Sequence, residues 1–406
     1  MRRLLAPVFC QVGEATPECF RVEFADGSHY QNRDGEPAFT LRFCTAAAEW
    51  RTAALGHVGL LEGYFDQAIE FEGDLRLALR AGIAAGLDGR PTLAVRLANR
   101  WHEWRLGNRD PARARRNAEY HYALGTDFYR HWLDAPYMMY TCAYWKEGTQ
   151  DLEAAQINKM EHVCRKARLA PGDHVVDIGC GWGGFLFYAH ERHGVTGVGV
   201  NTTGEQVQAM RREIARRGLE GRIHAVEADF RAVQGQFDKA ISIGVLEHAG
   251  RDQILAVVRA HAESLKPGGL GVLHFIGHVG RFETEYWIRR HIFPGGWIPS
   301  LAETLEAMEA CGLEVLDVEN LRRHYAHTLD AWAERFDARW PEIRELDPAV
   351  FTEHFRRKWR VYLLACAEMF RSPQGYTHLF QIVYSKGNVS DASYPMSRRF
   401  LYAGET

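Results

Sequence analysis

Neither a disulfide framework nor a zinc site is written into this chain. None of its eight cysteines, at 10, 19, 44, 142, 164, 180, 311 and 366, forms a C-x-x-C pair, and no Cys/His group carries zinc-finger spacing. They read as free thiols of a reducing compartment, and no metal is expected. No apolar run approaches the roughly 18–20 residues of a membrane span. The opening MRRLLAPVFCQVGEATPE has two arginines but only a short, interrupted apolar stretch and no cleavage site, so no secretory leader is read. A basic excess is missing too. The 49 Lys and Arg stand against 52 Asp and Glu, with net charge −3 and a pI near 6.7, so nucleic acid is not an expected partner. Internal repeats and low-complexity tracts are absent. These absences predict a cytoplasmic protein, any membrane contact of which would be peripheral.

What is present suits two domains. The 406 residues exceed one typical core. Residues 1–90 mix strand-like pieces (CFRVEFADG, AFTLRF) with a helix-like FEGDLRLALRAGIAAG, as a small α+β domain does. The run Asp88-Gly-Arg-Pro91 separates this domain from the next segment. Residues 91–117 read as a basic linker. With Arg90 at their edge they carry Arg96, Arg100, Arg105, Arg109, Arg113, Arg115 and Arg116 against Glu103 and Asp110, with Trp101 and Trp104 interleaved. Such a segment suits anionic lipid headgroups, and equally a solvated face whose tryptophans pack on a neighbouring domain. From about residue 118 to 406 helices and strands alternate. HVVDIGCG, GVTGVGVN, IHAVEADF, FDKAISIG, LGVLHFIG and HLFQIVYSKG are the strand candidates, and the rhythm predicts a doubly wound α/β sheet. Helical stretches near 300–312, 328–337 and 350–371 predict a helical cap inserted at about 278–375, before the last strand.

The turn Asp177-Ile-Gly179-Cys-Gly181-Trp-Gly183-Gly184 closes the first strand of that sheet. Glycines there allow a sharp turn and close approach to a ligand. Gly179, Gly181 and Gly184 also satisfy the dinucleotide pattern G-x-G-x-x-G, a weak signal alone. Three features favour S-adenosylmethionine over NAD. Asp177, two residues before the first glycine, suits an ammonium group and would repel a pyrophosphate. The acid that NAD sites place about 20 residues on to read the ribose is missing, leaving Asn201 or Gln206 for a ribose. Ala228-Asp229-Phe230 ends the third strand, where a methyltransferase reads and stacks the adenine. The turn Leu265-Lys-Pro-Gly-Gly269 before the fifth strand fits the same pattern.

Longer motifs sharpen this. YHYALGTDFYRHWLDAPYMMYTCAYWKE at 120–147, VVDIGCGWGGF, FDKAISIGVLEHAG, LHFIG, WIRRHIFPGGWIPS, HYAHTLDAWAERF and YLLACAEMF with LFQIVYSKG resemble cyclopropane-fatty-acyl-phospholipid synthases over about 115–390. GLLEGYFDQAIEFEGDL resembles that family's N-terminal lipid-binding domain. The resemblance implies a seven-stranded class I methyltransferase sheet, S-adenosylmethionine as cofactor and an active-site bicarbonate ion. It carries the bicarbonate contacts onto Cys142, Glu247, His274, Ile276 and Tyr325. It carries the cofactor contacts onto Tyr140, Thr141, Gly179, Gly181, Gln206 and Asp229. Thr141 replaces the usual serine and keeps the hydroxyl, and NTTGEQ stands where the family often has TxSxEQ. An N-terminal domain that engages lipid or dimerises, and a homodimer, are implied as well. Each of these residues alone would suit an ordinary packing or capping role.

The implied chemistry fits the residue types. An alkene is a poor nucleophile, so aligning it with a methyl electrophile is a positioning problem. The resulting cation must lose a proton to a base beside an apolar, water-excluding pocket. A bicarbonate held by His274, Tyr325 and backbone donors suits that role, with Glu247 orienting it. The expected reaction is cyclopropanation of a cis-unsaturated phospholipid chain. The alternatives are methylene- or methyl-branched chains by the same cation, and small-molecule N- or C-methylation. Phe293-Pro-Gly-Gly296, Trp297 and Ile298 are read as the start of the acyl-pocket cap.

Overall fold

The computed structural model describes residues 2–122 and 124–402. Contacts divide the chain into two compact units. One comprises Met1–Arg105, Glu285–Ile292 and Leu329–Gly375; the other comprises Leu106–Thr284, Phe293–Thr328 and Tyr376–Thr406.

The first unit is built on a four-stranded sheet, β1 (Phe20–Glu23), β2 (His29–Gln31), β3 (Phe39–Phe43) and β4 (Ile69–Gly73), in the order β2-β1-β3-β4. Burial alternates along β1 and β3, so one face carries the core. Phe20 stacks on Phe39 at 5.1 Å and Phe24 on Phe43 at 6.0 Å. Helix Glu353–Arg371 belongs here too. Its Arg357 pairs with Glu70, and its buried Glu368 receives Arg80 at 2.8 Å. Helix Leu93–Leu106 buries Val95 and His102, and its Asn99 and Glu103 hold the fully buried Arg289. Its other face leaves Leu93, Leu97, Trp101 and Trp104 at 54–70 % exposure, flanked by exposed Arg96, Arg100 and Arg105.

The second unit carries a seven-stranded sheet: β5 (His174–Ile178), β6 (Thr196–Asn201), β7 (Ile223–Glu227), β8 (Phe237–Ile243), β9 (Leu265–His278), β10 (Leu313–Asn320) and β11 (Thr377–Lys386). Their order is β10-β11-β9-β8-β5-β6-β7. Strands β9, β8, β5, β6 and β7 pair in parallel, and β11 runs against both its neighbours. Val175, Val176, Ile241, Val272, Ile382 and Val383 are wholly buried, as strands covered on both faces require. The strand order reverses beside β5, so the carboxyl ends of β5 and β8 flank the crevice where such sheets bind ligands.

The expected α/β sheet and small α+β unit are therefore present, while three finer expectations are redrawn. Residues 91–117 fold largely into helices Leu93–Leu106 and Pro111–Tyr122, whose polar composition hid the helical period. The stretch 278–375 is not one cap. Residues 313–320 form a strand of the large sheet, and 285–292 and 329–375 fold with the first 105 residues. The Lys-Pro-Gly-Gly turn lies within β9, where the ladder to β8 slips before resuming at Leu270.

Candidate active site

The turn after β5 is a cradle. Gly179, Gly181 and Gly183 have φ of 82°, 54° and 88°, the left-handed region that glycine adopts without penalty. A Cβ at Gly179 would fall 2.0 Å from Val245 and one at Gly184 2.1 Å from the Tyr137 carbonyl, so the walls are already filled. A Cβ at Gly181 would meet nothing within 4 Å, which marks the open side of the turn. Asp177 is buried beneath it. Desolvation pushes its pKa up to about 7, with the Lys159 charge opposing. Asn201, at the end of β6, donates to Gln206 at 2.8 Å. Beyond them Asp229 caps the short turn Phe230–Ala232 and pairs with Arg231 at 3.0 Å, whose guanidinium lies 4.7 Å over the Phe230 ring. An open glycine turn above a buried acid fits S-adenosylmethionine: Asp177 would hold its ammonium, and Asn201 or Gln206 its ribose.

The segment 139–145 supplies the next wall. Buried Gln156 donates to the Met139 and Thr141 carbonyls at 3.1 and 2.9 Å. Lys159 donates to the Thr141 hydroxyl at 2.9 Å, and burial brings the pKa of this ammonium down to about 8. Tyr140 stacks on His121 and meets its Nε2 at 3.2 Å. Cys142 is buried and donates to the Ala143 carbonyl at 3.2 Å; burial raises its pKa, so it stays a thiol. The Ala143 and Trp145 N–H groups donate to Thr328 and His324 at 3.0 and 2.9 Å. Those contacts tie the segment to the first turns of helix Arg322–Ala338, which carries Tyr325.

Glu247 stands just past the end of β8, and His274 lies within β9 opposite Ile243, the last residue of β8. Glu247 follows Gly244, whose φ of 74° turns the chain into helix Leu246–Ala249. A Cβ on Gly244 would lie 2.9 Å from Thr141 and 3.9 Å from Glu247, so both flank this turn. Glu247 Oε1 accepts the Ile276 N–H at 3.2 Å, while buried Oε2 has no partner. Desolvation raises its pKa to about 7, with backbone donors opposing. His274 shares one side of β9 with Ile276, two residues on. It is 1 % exposed, its Nδ1 meets Gln381 Nε2 at 2.9 Å, and its Nε2 is buried without a partner. Burial, with Lys159 and Lys166 adding to it, holds the imidazole pKa well below its ordinary value. A neutral histidine and a carboxyl whose pKa is near 7 thus each present a buried polar atom with a hydrogen bond still to make.

The fold brings Glu247 to Ile276 directly, Thr141 and the His274 carbonyl to the Gly244 turn, and Tyr325 onto the helix tied to the segment that carries Cys142. Asp229 and Phe230 stand apart, at the β7 end of the cradle. Sequence reasoning missed Lys159, Lys166 and Gln381. The signal available was two lysines seven apart in LEAAQINKMEHVCRK, which forms helix Leu152–Lys166, and a lone amide in the apolar run LFQIVY.

Comparison with known proteins agrees with this geometry. Residues 109–382 match the family model described as mycolic acid cyclopropane synthetase. The chain is 37 % identical over 340 residues to the cyclopropane-fatty-acyl-phospholipid synthase of Escherichia coli (strain K12), covering 82 % of this chain and 84 % of that protein. It is 36 % identical over 276 residues to a probable fatty acid methyltransferase of Pseudomonas putida, covering 66 % and 68 %. Among solved structures it is similar to mycolic acid cyclopropane synthase CmaA1 complexed with SAH and CTAB. The TM-score is 0.62 at 30 % identity, over 67 % of this chain and 98 % of that one. Coclaurine N-methyltransferase, at 20 % identity and a TM-score of 0.65 over 81 % and 98 %, shares the fold. The glycine cradle, the buried acid beneath it and the relatives agree: the chain belongs to the mycolic acid cyclopropane synthetase family and is an S-adenosylmethionine-dependent methyltransferase of the cyclopropane synthase type.

Proposed function

We propose that the protein forms a cyclopropane ring on the cis double bond of a phospholipid-esterified fatty acid, with bicarbonate as the general base. The observation that carries this reading is the pair of orphaned polar atoms, Glu247 Oε2 and His274 Nε2, beside the cofactor cradle. Bicarbonate offers acceptors for a donor and one O–H for an acceptor, which suits a site that holds both a neutral histidine and a carboxyl group. Bound S-adenosylmethionine supplies the electrophilic methyl group, and bound bicarbonate would supply the base that takes a proton from the transferred carbon. Of the chain's own groups, Asp177 holds the cofactor's ammonium, His274 donates from Nε2, and Glu247 orients the base without being the base. Cys142, kept as a thiol, and Tyr325 complete the set. The buried surroundings exclude water from the cation.

The substrate sits in a membrane, so the enzyme must meet one, here from the cytoplasmic leaflet. Among the described residues no helix is long and apolar enough to cross a bilayer. The exposed stripe Leu93, Leu97, Trp101 and Trp104 with flanking Arg96, Arg100 and Arg105 supports peripheral contact with anionic headgroups.

The test is mass spectrometry of products from purified enzyme, S-adenosylmethionine and vesicles of cis-monounsaturated phospholipid. Gain of one CH₂ with loss of the double bond, and a ring by NMR, is expected. Turnover should fall when bicarbonate is depleted and recover on its return. Trp101→Glu with Trp104→Glu should lower turnover on anionic vesicles about tenfold while leaving cofactor affinity intact. An exocyclic methylene would move the reading to branched-chain synthesis. No lipid product from a cofactor-bound enzyme would overturn it in favour of a small-molecule acceptor.

A further inference from the structure

We infer that Gln381 and Lys166 are positioning residues that fix the tautomer of His274, so that its buried Nε2 carries the proton and its Nδ1 does not. The inference deepens the proposed reading of His274 as the donor to a bound base. In its structural half it stands independently of that reading.

Strands β9 and β11 are antiparallel, and Gln381 lies directly opposite His274 in their register. Cross-strand partners share a face of the sheet, so the two side chains meet. Gln381 is fully buried and touches two groups: Nε2 is 2.9 Å from His274 Nδ1, and Oε1 is 2.9 Å from Lys166 Nζ. An ammonium has donors and no acceptor. The amide must therefore turn its oxygen to Lys166 and its NH₂ to the imidazole, since the flipped amide would oppose donor to donor. His274 Nδ1 must then accept. A neutral imidazole has one donor and one acceptor nitrogen, which leaves the proton on Nε2.

Lys166 is anchored in turn. Its Nζ lies 2.5 Å from Glu319, and Glu319 meets His162 Nε2 at 2.7 Å. Burial opposes the charge on Glu319, but hydrogen bonding from His162 and the charge of Lys166 hold its pKa down at about 2. Burial lowers the pKa of the wholly buried Lys166, and the firmly ionised Glu319 beside it opposes that shift and favours the ammonium. The chain His162, Glu319, Lys166, Gln381, His274 runs through a partly exposed carboxylate to the orphaned Nε2. Each link has one permitted donor direction. Burying an amide and an ammonium for packing alone would be costly, and replacing both by apolar groups would satisfy a structural role as well.

The experiment is a ¹⁵N–¹H correlation of imidazole nitrogens in full-length enzyme labelled with ¹⁵N-histidine, with His274 assigned by its loss in His274→Asn. The wild type should show the Nε2–H tautomer. Gln381→Glu replaces the NH₂ by an acceptor and should move the proton to Nδ1; Gln381→Leu, nearly isosteric, should abolish the preference. Both should lower kcat on the order of 100-fold, the scale of losing one preorganised donor, with KM for cofactor and lipid changed less than about twofold. Lys166→Met should have the same effect at smaller size, through an amide free to flip. An Nδ1–H tautomer in the wild type, or Nε2–H retained in Gln381→Glu, overturns the inference. A tautomer that switches while kcat holds leaves the relay in place and overturns the donor role of His274 instead.

Discussion

Two carboxyl groups at neighbouring strand ends have the same ordinary chemistry and nearly the same displaced pKa, and they are held differently. Asp177, on β5, and Glu247, after β8, are both buried, and desolvation raises each to about 7. Asp177 feels the charge of Lys159. Glu247 has only backbone donors to Oε1 and nothing on Oε2. The first environment awaits a further cation, since a neighbouring positive charge would complete its ionisation. The second leaves one buried carboxyl oxygen able to take part in a hydrogen bond. Burial alone does not assign a role; the partners left out do.

The sharpest break in the comparison is Glu247→Gln. Turnover should fall on the order of 1000-fold while S-adenosylmethionine affinity stays within about twofold, measured by single-turnover assay and calorimetry. Retained turnover would remove Glu247 from the mechanism. Asp177→Asn should do the reverse and weaken cofactor affinity about tenfold or more. In the wild type that affinity should rise with pH between about 6 and 8, because Asp177 must lose its proton to meet an ammonium and its pKa is about 7. A pH-independent affinity would separate Asp177 from the cofactor.

The smallest effect is on stability, and there the two should behave alike. A carboxyl whose folded pKa is raised stabilises most when protonated. That contribution is lost as pH climbs from the unfolded carboxyl value through about 7, at a cost on the order of 3 kcal/mol per buried group. The amide variants escape the cost. Their melting temperatures should therefore match the wild type near pH 4 and exceed it by roughly 2–5 °C at pH 8, each variant separately. A gain for one and not the other would show that the two burials are not equivalent.

The sequence carried the centre of the sheet and its β7 edge better than its β10 edge. Strands such as HVVDI and FDKAISI read as apolar runs ending in glycine turns because they are covered on both faces. Strand β10, LEVLDVEN, is an edge strand bearing Glu314, Asp317 and Glu319, and its polar face masked it. The return of 329–375 to the first unit was illegible for another reason. Pairings such as Arg80 with Glu368 join residues 288 apart, and nothing local announces them. At the site, Cys142, Glu247, His274 and Ile276 stood inside readable motifs. Lys159 and Lys166 looked like ordinary surface lysines of an amphipathic helix until the fold buried them.

Strand β11 occupies the slot between β9 and β10, so Gln381 reaches His274 only when that strand has been threaded into place. The links it makes span 107 and 215 residues of chain. Contacts of such range form late, since the entropy of closing long loops must be met first. Under the relay inferred above, the tautomer of His274 reports on the finished topology, because Gln381 reaches it only across the β9–β11 ladder.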